Sequence, residues 1–262
     1  MQKTVLITGA SSGIGKALAN EFANNSYNLV IVAEKARELS QAADEIKNNR
    51  SVDITEIPED LTHEHVPQEI YDHLKKNNIQ VDVLVNNAGV GQREKFHESD
   101  IEKDIKIIRL NIEATTRLTK LFVKDMVTRG DGKILNVGSV AGFQPGPLLA
   151  VYHASKAFVV SFSEAISDEL EGTGVTVTAL CPGPTDTHFA ERADMENSRI
   201  FQDGMVMKPS KVAESGYKAL MDGERIIIPG MSNKALTFTR RLIPKSMQAS
   251  LNKKFYEVKE EG

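Results

Sequence analysis

Three side chains in the middle of the chain have the types and spacing for proton transfer to an oxygen atom. Tyr152 and Lys156 are four residues apart, and Ser139 lies upstream at the end of an apolar run. Residues i and i+4 share one face of a helix, so the phenol and the ammonium would point into the same space. A neighbouring cation lowers the pKa of a phenol from about 10. We therefore expect a tyrosine that exchanges protons near neutral pH, although this spacing is also typical of a solvated helix face.

The N-terminal residues predict a phosphate-binding turn. An apolar run at Thr4–Thr8 has the pattern of a short buried strand, and a helical pattern begins shortly after it. Between them, Gly9, Gly13 and Gly15 have the spacing G-x-x-x-G-x-G. Glycines allow a tight turn and a close approach to phosphate, and the N–H groups at a helix N-terminus favour pyrophosphate. The sequence thus predicts a dinucleotide site; the alternative is a turn that needs glycine only for its backbone angles.

With these motifs, the chain resembles the short-chain dehydrogenase/reductase family. The motifs that carry the resemblance follow the family's order over about the first 190 residues: Thr8-Gly9-x-x-x-Gly13-x-Gly15, Asn86-Asn87-Ala88-Gly89, Leu110-Asn111, Ser139, Tyr152-x-x-x-Lys156, and Pro182-Gly183 with Thr187. The resemblance implies a three-layer, doubly wound Rossmann fold of class α/β, with a seven-stranded, mainly parallel sheet. It also implies one domain over residues 1–262, with a cofactor half at about 1–138 and a catalytic and substrate part at about 139–262.

The pattern of apolar runs agrees with this architecture. Runs of strand length alternate with longer helical patterns, which predicts βαβ units and a parallel sheet. The predicted strands are Thr4–Thr8, residues 29–33, 52–57, 81–86 and 133–138, Val175–Leu180 and residues 225–228, and the main helices are 99–127 and 152–171. Gly9, Asp60, Asn87, Ser139 and Pro182 each follow a predicted strand. Because ligands of such folds bind at the carboxyl ends of the strands, we expect these residues at one edge.

The resemblance implies a role for each of four catalytic residues. Tyr152 would be the general acid or base, and Lys156 would lower its pKa and bind the nicotinamide ribose. Ser139 would hold the substrate oxygen. Asn111 would interrupt a helix and anchor a water that links Lys156 to solvent. The structural alternatives are that Ser139 ends a strand and Asn111 caps a helix. Hydride transfer belongs to the nicotinamide.

The resemblance also implies the cofactor contacts. Residues 87–89 would pack against the adenine ribose, residues 182–187 would cover the nicotinamide, and Asp60 would accept a hydrogen bond from adenine or else cap a helix. The full predicted set is Gly9, Ser11, Ser12, Gly13, Ile14, Gly15, Ala33, Glu34, Lys35, Asp60, Leu61, Asn87, Ala88, Gly89, Tyr152, Lys156, Pro182, Gly183, Thr185 and Thr187.

The choice between NAD and NADP stays open at the sequence level. Members that prefer NAD have an acidic residue at the end of the second strand, whereas those that prefer NADP usually have a small residue followed by arginine. Ala33 fits the small position, but Glu34 stands where arginine is expected. A carboxylate there would repel a 2′-phosphate, while Lys35 or Arg37 would attract one.

Composition excludes several functional classes. A chain of 262 residues with a formal charge of −4 has no basic footprint for nucleic acid. We find no apolar run long enough for a membrane span, and the first predicted strand leaves no room for a signal peptide. One cysteine, Cys181, excludes an internal disulfide, and the six histidines lack metal-ligand spacing, so we predict no metal. We expect a cytoplasmic enzyme.

The predicted reaction is the interconversion of a carbonyl and a secondary alcohol. Residues 142–149, 188–190 and 205–207 would line the substrate pocket, and their apolar character favours a lipophilic ketone or alcohol, or a 3-oxoacyl-type substrate, over a small sugar. Nucleotide-sugar epimerases or dehydratases of this fold usually carry a longer substrate domain. A regulatory or scaffolding relative without turnover is the other alternative, but such relatives tend to lose the tyrosine or the lysine.

Two further regions suggest partners. Residues 232–256 contain no acidic side chain and mix basic with apolar residues, which predicts either a packed amphipathic helix or a surface for a membrane or an anionic acyl carrier. The family commonly forms homodimers or homotetramers through the long helices after the fourth and fifth strands. The apolar residues that fit such an interface, or else the core, are Leu118, Leu121, Phe122, Phe158, Phe162 and Ile166.

Overall fold

The protein is built around one parallel β-sheet. The structure, a computed structural model, describes residues 2–48, 50–195, 198, 206–240, 249, 252 and 256. Within these residues the strands are β1 Thr4–Thr8, β2 Asn28–Val32, β3 Ile54–Ile57, β4 Val83–Asn86, β5 Gly132–Val137, β6 Val175–Leu180 and β7 Ile226–Ile227. They are ordered β3-β2-β1-β4-β5-β6-β7, and every pair is parallel. The order reverses at β1 and β4, as in a doubly wound sheet.

Helices connect the strands and cover both faces of the sheet. They are α1 Gly13–Asn24, α2 Ala36–Lys47, α3 Val66–Lys76, α4 Ile101–Ile108, α5 Thr115–Arg129, α6 Ala150–Glu169, α7 Phe189–Arg192, α8 Pro209–Asp222 and α9 Met231–Arg240. A π-helical turn, Arg109–Ala114, joins α4 to α5, and a 3₁₀ turn, Val140–Phe143, follows β5.

Alternation along the strands divides the core into two layers. Successive strand residues point to opposite faces, so Val5 and Ile7 pack with α1, α2 and α8, whereas Leu6 packs with α3 and α5. All three of these β1 side chains are fully buried. This three-layer arrangement confirms the predicted Rossmann fold, and the sheet is parallel throughout rather than mainly parallel.

The helix predicted over residues 99–127 is divided by the π-helical turn. Asn111 lies in the middle of that turn, where a helix interruption was predicted. On α5, the side chains of Leu118 and Phe122 are 1% and 4% exposed and belong to the core. These two are therefore core residues rather than part of an interface. On α6, Phe158 and Phe162 are half-buried and stack with ring centroids 5.5 Å apart.

Among the residues that the structure describes, no helix combines the length and the apolar character that crossing a membrane would require.

Candidate active site

One cleft at the carboxyl edge of the sheet brings together nearly all of the predicted site residues. It extends from the end of β2, past the glycine turn after β1, to the N-terminal part of α6. Every predicted cofactor residue lines it except Gly183, and every predicted catalytic residue except Asn111. Gly183 packs against the side chain of Asn233 instead, and Asn111 is buried below the cleft floor.

The glycine turn is held by side chains from the end of β4 and from β1. Thr8 Oγ1 accepts hydrogen bonds from the backbone N–H groups of Asn87 and Ala88, both at 3.0 Å. Asn87 Nδ2 donates to the carbonyl oxygens of Thr8 and Gly9, at 2.8 and 3.1 Å. Asn87 therefore fixes the shape of the turn, which gives it a structural role beside the predicted cofactor contact.

The turn has the form of a phosphate cradle. Gly9 and Gly13 have φ values of 64° and 55°, in the left-handed region that favours glycine. A Cβ on Gly15 would lie 2.1 Å from the carbonyl oxygen of Gly9, so only glycine lets α1 start this close to β1. Ser12, the N-cap residue, makes no side-chain capping bond to α1. The first N–H groups of α1 are thus left for an anion, and the residues present fit a dinucleotide pyrophosphate.

Asn111 connects the floor of the cleft to α6. Its Oδ1 accepts from the Val90 N–H at 3.0 Å, and its Nδ2 donates to the Val90 carbonyl at 3.0 Å and to Ser155 Oγ at 2.9 Å. The side chain is 1% exposed. The predicted helix interruption is present, while the water relay through this residue stays a prediction.

Ser139 and Tyr152 meet at the inner end of the cleft. Ser139 follows β5 as the N-cap of the 3₁₀ turn, where its Oγ accepts from the Ala141 N–H at 3.1 Å. Burial raises the pKa of Tyr152 to about 12, and a hydrogen bond with Ser139 offsets only part of that rise. The phenol therefore holds its proton at neutral pH.

Lys156 does not act on Tyr152 as the sequence suggested. Its Nζ donates to the Val137 carbonyl at 2.8 Å and lies 5.9 Å from the centre of the Tyr152 ring. Burial lowers the pKa of Lys156 itself to about 8. The prediction that Lys156 lowers the pKa of Tyr152 is wrong for this structure, because burial dominates both groups and the ammonium is turned towards a backbone carbonyl.

At the other end of the cleft, charged side chains surround the end of β2. Lys35 Nζ lies 2.9 Å from Glu38 Oε1, and Arg192 Nη2 lies 3.9 Å from Glu38 Oε2. Lys106 Nζ is 3.9 Å from Glu34 Oε2. Sequence reasoning missed Glu38, Lys106 and Arg192, since no motif marks them and Arg192 comes from α7, far along the chain.

Arg37 and Asp60, both considered as cofactor contacts at this end of the cleft, lie in different surroundings. Arg37, offered as an attractor for a 2′-phosphate, is exposed and does not line the cleft. Asp60 does line it, and its Oδ1 also accepts from the Thr62 N–H at 2.9 Å. This bond closes a turn ahead of α3, whose N-cap is His65, so Asp60 does not cap a helix, and its adenine contact stays a prediction.

The space beside Tyr152 is apolar, but only part of the predicted lining forms it. Side chains of this region that line the cleft are Leu149, His188, Phe189, Met195 and Tyr256. Met195 and Tyr256 were missed. Of residues 142–149 only Leu149 reaches the cleft, and Phe143 packs beside Cys181 instead. Val206 and Met207 line a neighbouring groove, and Met205 lies outside the described residues.

Most of the basic segment 232–256 also lies outside the described residues. Lys234 is exposed, whereas Asn233, Thr237, Asn252 and Tyr256 are buried. Of the other basic residues, Arg241, Lys245, Lys253 and Lys254 lie outside the described part, so the predicted docking surface stays a prediction.

Known proteins resemble this chain in sequence and in fold. The family model for short chain dehydrogenases matches residues 3–198. An uncharacterised oxidoreductase of Staphylococcus saprophyticus is 30% identical over 224 residues, which are 86% of this chain and 93% of that protein. The very-long-chain 3-oxoacyl-CoA reductase of Mus musculus is 34% identical over 192 residues, 71% of this chain but only 60% of the mouse enzyme.

A solved structure extends the match to nearly the whole fold. The short-chain dehydrogenase from Sphingobium yanoikuyae, in complex with NADPH, superposes with a TM-score of 0.81 at 32% identity, covering 91% of this chain and 94% of that one. The chain therefore belongs to the short-chain dehydrogenase/reductase family, the oxidoreductases that act on CH–OH groups.

Proposed function

We propose that the protein reduces the carbonyl of a lipophilic ketone or 3-oxoacyl-type substrate to a secondary alcohol, and catalyses the reverse oxidation, with NADP or NAD. The observation that carries the proposal is the protonated Tyr152 phenol beside Ser139, at the apolar end of a cleft whose other end is a phosphate cradle. The 3-oxoacyl-CoA specificity in the name of the mouse relative supports the acyl version of the substrate.

The chain's own residues account for the proton and for substrate orientation. Ser139 Oγ accepts from the Ala141 N–H, and its contact with the Pro182 carbonyl is long, at 3.4 Å, so its hydroxyl can turn to donate to a substrate carbonyl oxygen. Tyr152 Oη, which shares a hydrogen bond with Ser139, then donates its proton to the same oxygen. The nicotinamide, when bound, supplies or accepts the hydride.

Lys156 and Phe189 support this arrangement. Lys156 Nζ lies next to Gly89, where an added Cβ would be 3.4 Å away, so the ammonium faces the cleft floor at which the nicotinamide ribose is predicted. Phe189 packs on the Tyr152 ring, with centroids 5.2 Å apart, and excludes water from one side of the phenol. Exclusion of water strengthens the hydrogen bonds made inside the site.

NADPH is the first cofactor to assay. Lys35 and Arg192 place two cations at the end of β2, and the Sphingobium neighbour is in complex with NADPH. Glu38 partly neutralises those cations, and Glu34 adds a carboxylate beside Lys106, so NADH should be compared in the same assays.

The experiment that tests the function removes one oxygen atom. Tyr152→Phe should lower kcat for reduction of acetophenone or of an acetoacetyl thioester by about a hundredfold or more, while the Kd of NADPH, measured by its fluorescence, stays within about twofold. Tyr71→Phe is the matched control, because its hydroxyl bonds Asp125 of α5 and neither residue lines the cleft. A native protein that binds NADPH but turns over no ketone, alcohol or 3-oxoacyl thioester would instead support the regulatory alternative.

The assembly and its location are part of the proposal. A homodimer or homotetramer through α5 and α6 is supported by the half-buried Phe158–Phe162 stack, which lies on the α6 surface. We propose a cytoplasmic location, and the division into cofactor and catalytic parts near residue 138 stays a prediction.

A further inference from the structure

Tyr256 lies against the substrate end of the cleft although it is far from every catalytic residue in sequence. It is 5% exposed and packs in a cluster with Leu149, Met195 and Phe189. The same cluster contains Tyr152. The Tyr256 side chain therefore forms part of the surface that a substrate would meet beside the phenol.

Hydrogen bonds hold two residues of the C-terminal part, Asn252 and Tyr256, in this position. Tyr256 Oη contacts His153 Nε2 at 3.0 Å, and the Tyr256 carbonyl accepts from Arg93 Nε at 2.7 Å. Asn252 Nδ2 donates to the Pro145 carbonyl at 2.7 Å. The loop after β4 and α6 thus hold Tyr256, and the loop before α6 holds Asn252.

The His153 ring is fixed in a position from which it can pair with the Tyr256 hydroxyl. Its Nδ1 lies 2.9 Å from the Gln144 carbonyl, which only accepts, so Nδ1 donates there and Nε2 is left to pair with the Tyr256 hydroxyl. The ring is 2% exposed. A Cβ on Gly146 would lie 2.0 Å from the ring, so this glycine makes the space that the imidazole occupies.

We propose that the Tyr256–His153 hydrogen bond is a latch that holds Tyr256 on α6, and that the Tyr256 ring is the wall that sets the size of the substrate group accepted beside Tyr152. The inference rests on the proposed function for its substrate class. His153 follows Tyr152 directly, so Tyr256 is held by the same turn of helix that presents the phenol. Tyr256 is thus a specificity residue, and His153 positions it.

Two variants of the full chain separate the latch from the wall. Tyr256→Phe keeps the ring but loses the hydroxyl, and its effect should appear as about fivefold faster hydrogen–deuterium exchange of the amides in residues 144–153, the effect expected for one neutral hydrogen bond. Tyr256→Ala removes the ring. In the presence of NADP⁺, which allows binding without ketone turnover, calorimetry should show the Kd ratio between benzophenone and acetophenone shifting by about tenfold in favour of the larger ketone.

Tyr71→Phe is again the matched control, and it should leave both readouts as in the unmodified protein. Unchanged exchange in Tyr256→Phe overturns the latch, and an unchanged Kd ratio in Tyr256→Ala overturns the wall. Binding of neither ketone to the unmodified protein also overturns the wall. If both shifts occur but no ketone is reduced, the proposed function fails while the latch and the wall stand.

Discussion

Replacing Lys156 by methionine should stabilise the cofactor-free protein at neutral pH while it removes the ammonium from the site. Lys156 is 6% exposed, and burial lowers its pKa from 10.5 to about 8. The charged form is therefore less favourable in the folded protein than in the unfolded chain. Methionine has a similar volume and no charge to desolvate.

The expected magnitude follows from proton linkage. Between about pH 8 and 10.5 the unfolded chain binds more protons at this lysine than the folded protein does, so stability rises with pH in that window. At pH 7 the displaced pKa corresponds to a cost of about 3 kcal/mol, which falls to about 1 kcal/mol at pH 9.5. Tyr152 is present in both proteins, so the effect of its own titration on stability cancels in the comparison.

One term opposes the gain. The Val137 carbonyl loses its lysine donor in the variant, at a cost of about 1–3 kcal/mol. This cost does not depend on pH. The decisive quantity is therefore the change with pH: the stability advantage of Lys156→Met over the unmodified protein should shrink by about 2 kcal/mol between pH 7 and pH 9.5.

Urea unfolding of both proteins without cofactor, at the two pH values, measures that change. Lys133→Met is the matched control, since Lys133 also donates to backbone carbonyls, those of Leu220 and Met221, and burial also lowers its pKa. Lys133 is only half-buried, so its variant should show a smaller change with pH. An advantage that is equal at both pH values, or that grows with pH, would refute the argument that burial of the Lys156 charge costs stability.

Two further substitutions test other parts of the cleft. Glu38→Gln should release Lys35 and Arg192 from their shared carboxylate and lower the Kd of NADPH about fivefold with little effect on NADH, as measured by cofactor fluorescence; equal changes for both cofactors would show that these cations do not meet a 2′-phosphate. Gly15→Ala should cost several kcal/mol or abolish NADPH binding, because its Cβ would lie 2.1 Å from the Gly9 carbonyl oxygen; an unchanged Tm and Kd would mean that α1 shifts without loss.

The sheet could be predicted from sequence because its strands are short apolar runs bounded by turn residues. The predicted first and sixth strands coincide with β1 and β6, and the others differ at their ends by one or two residues. Strand ends depend on pairing with neighbours, which the chain does not reveal locally. Thus β3 starts at Ile54, where its pairing with Leu29 of β2 begins, and not at the predicted residue 52.

The motif residues could be placed at one edge because each follows a strand of a parallel sheet. Residues that reach the cleft from distant parts of the chain could not be predicted in this way. Arg192 reaches the end of β2 from α7, and Tyr256 reaches α6 from the C-terminal residues. Neither position has a local pattern that marks it. Only the folded geometry shows that Gly146 leaves room for His153 and that His153 in turn holds Tyr256.

Residue spacing alone does not determine whether Lys156 lowers the pKa of Tyr152. A spacing of four places Lys156 on the same helix face, but whether the ammonium approaches the phenol depends on other acceptors, and here the Val137 carbonyl takes it. Burial acts on the two groups in opposite directions, raising one pKa and lowering the other, and both changes favour the uncharged forms. Removing the proton from a phenol with a pKa of about 12 costs about 7 kcal/mol at pH 7, whereas donating it to a substrate oxygen needs no prior ionisation. In the site without ligands the phenol is therefore protonated and can donate to a substrate oxygen, as the reductive half of the proposed reaction requires.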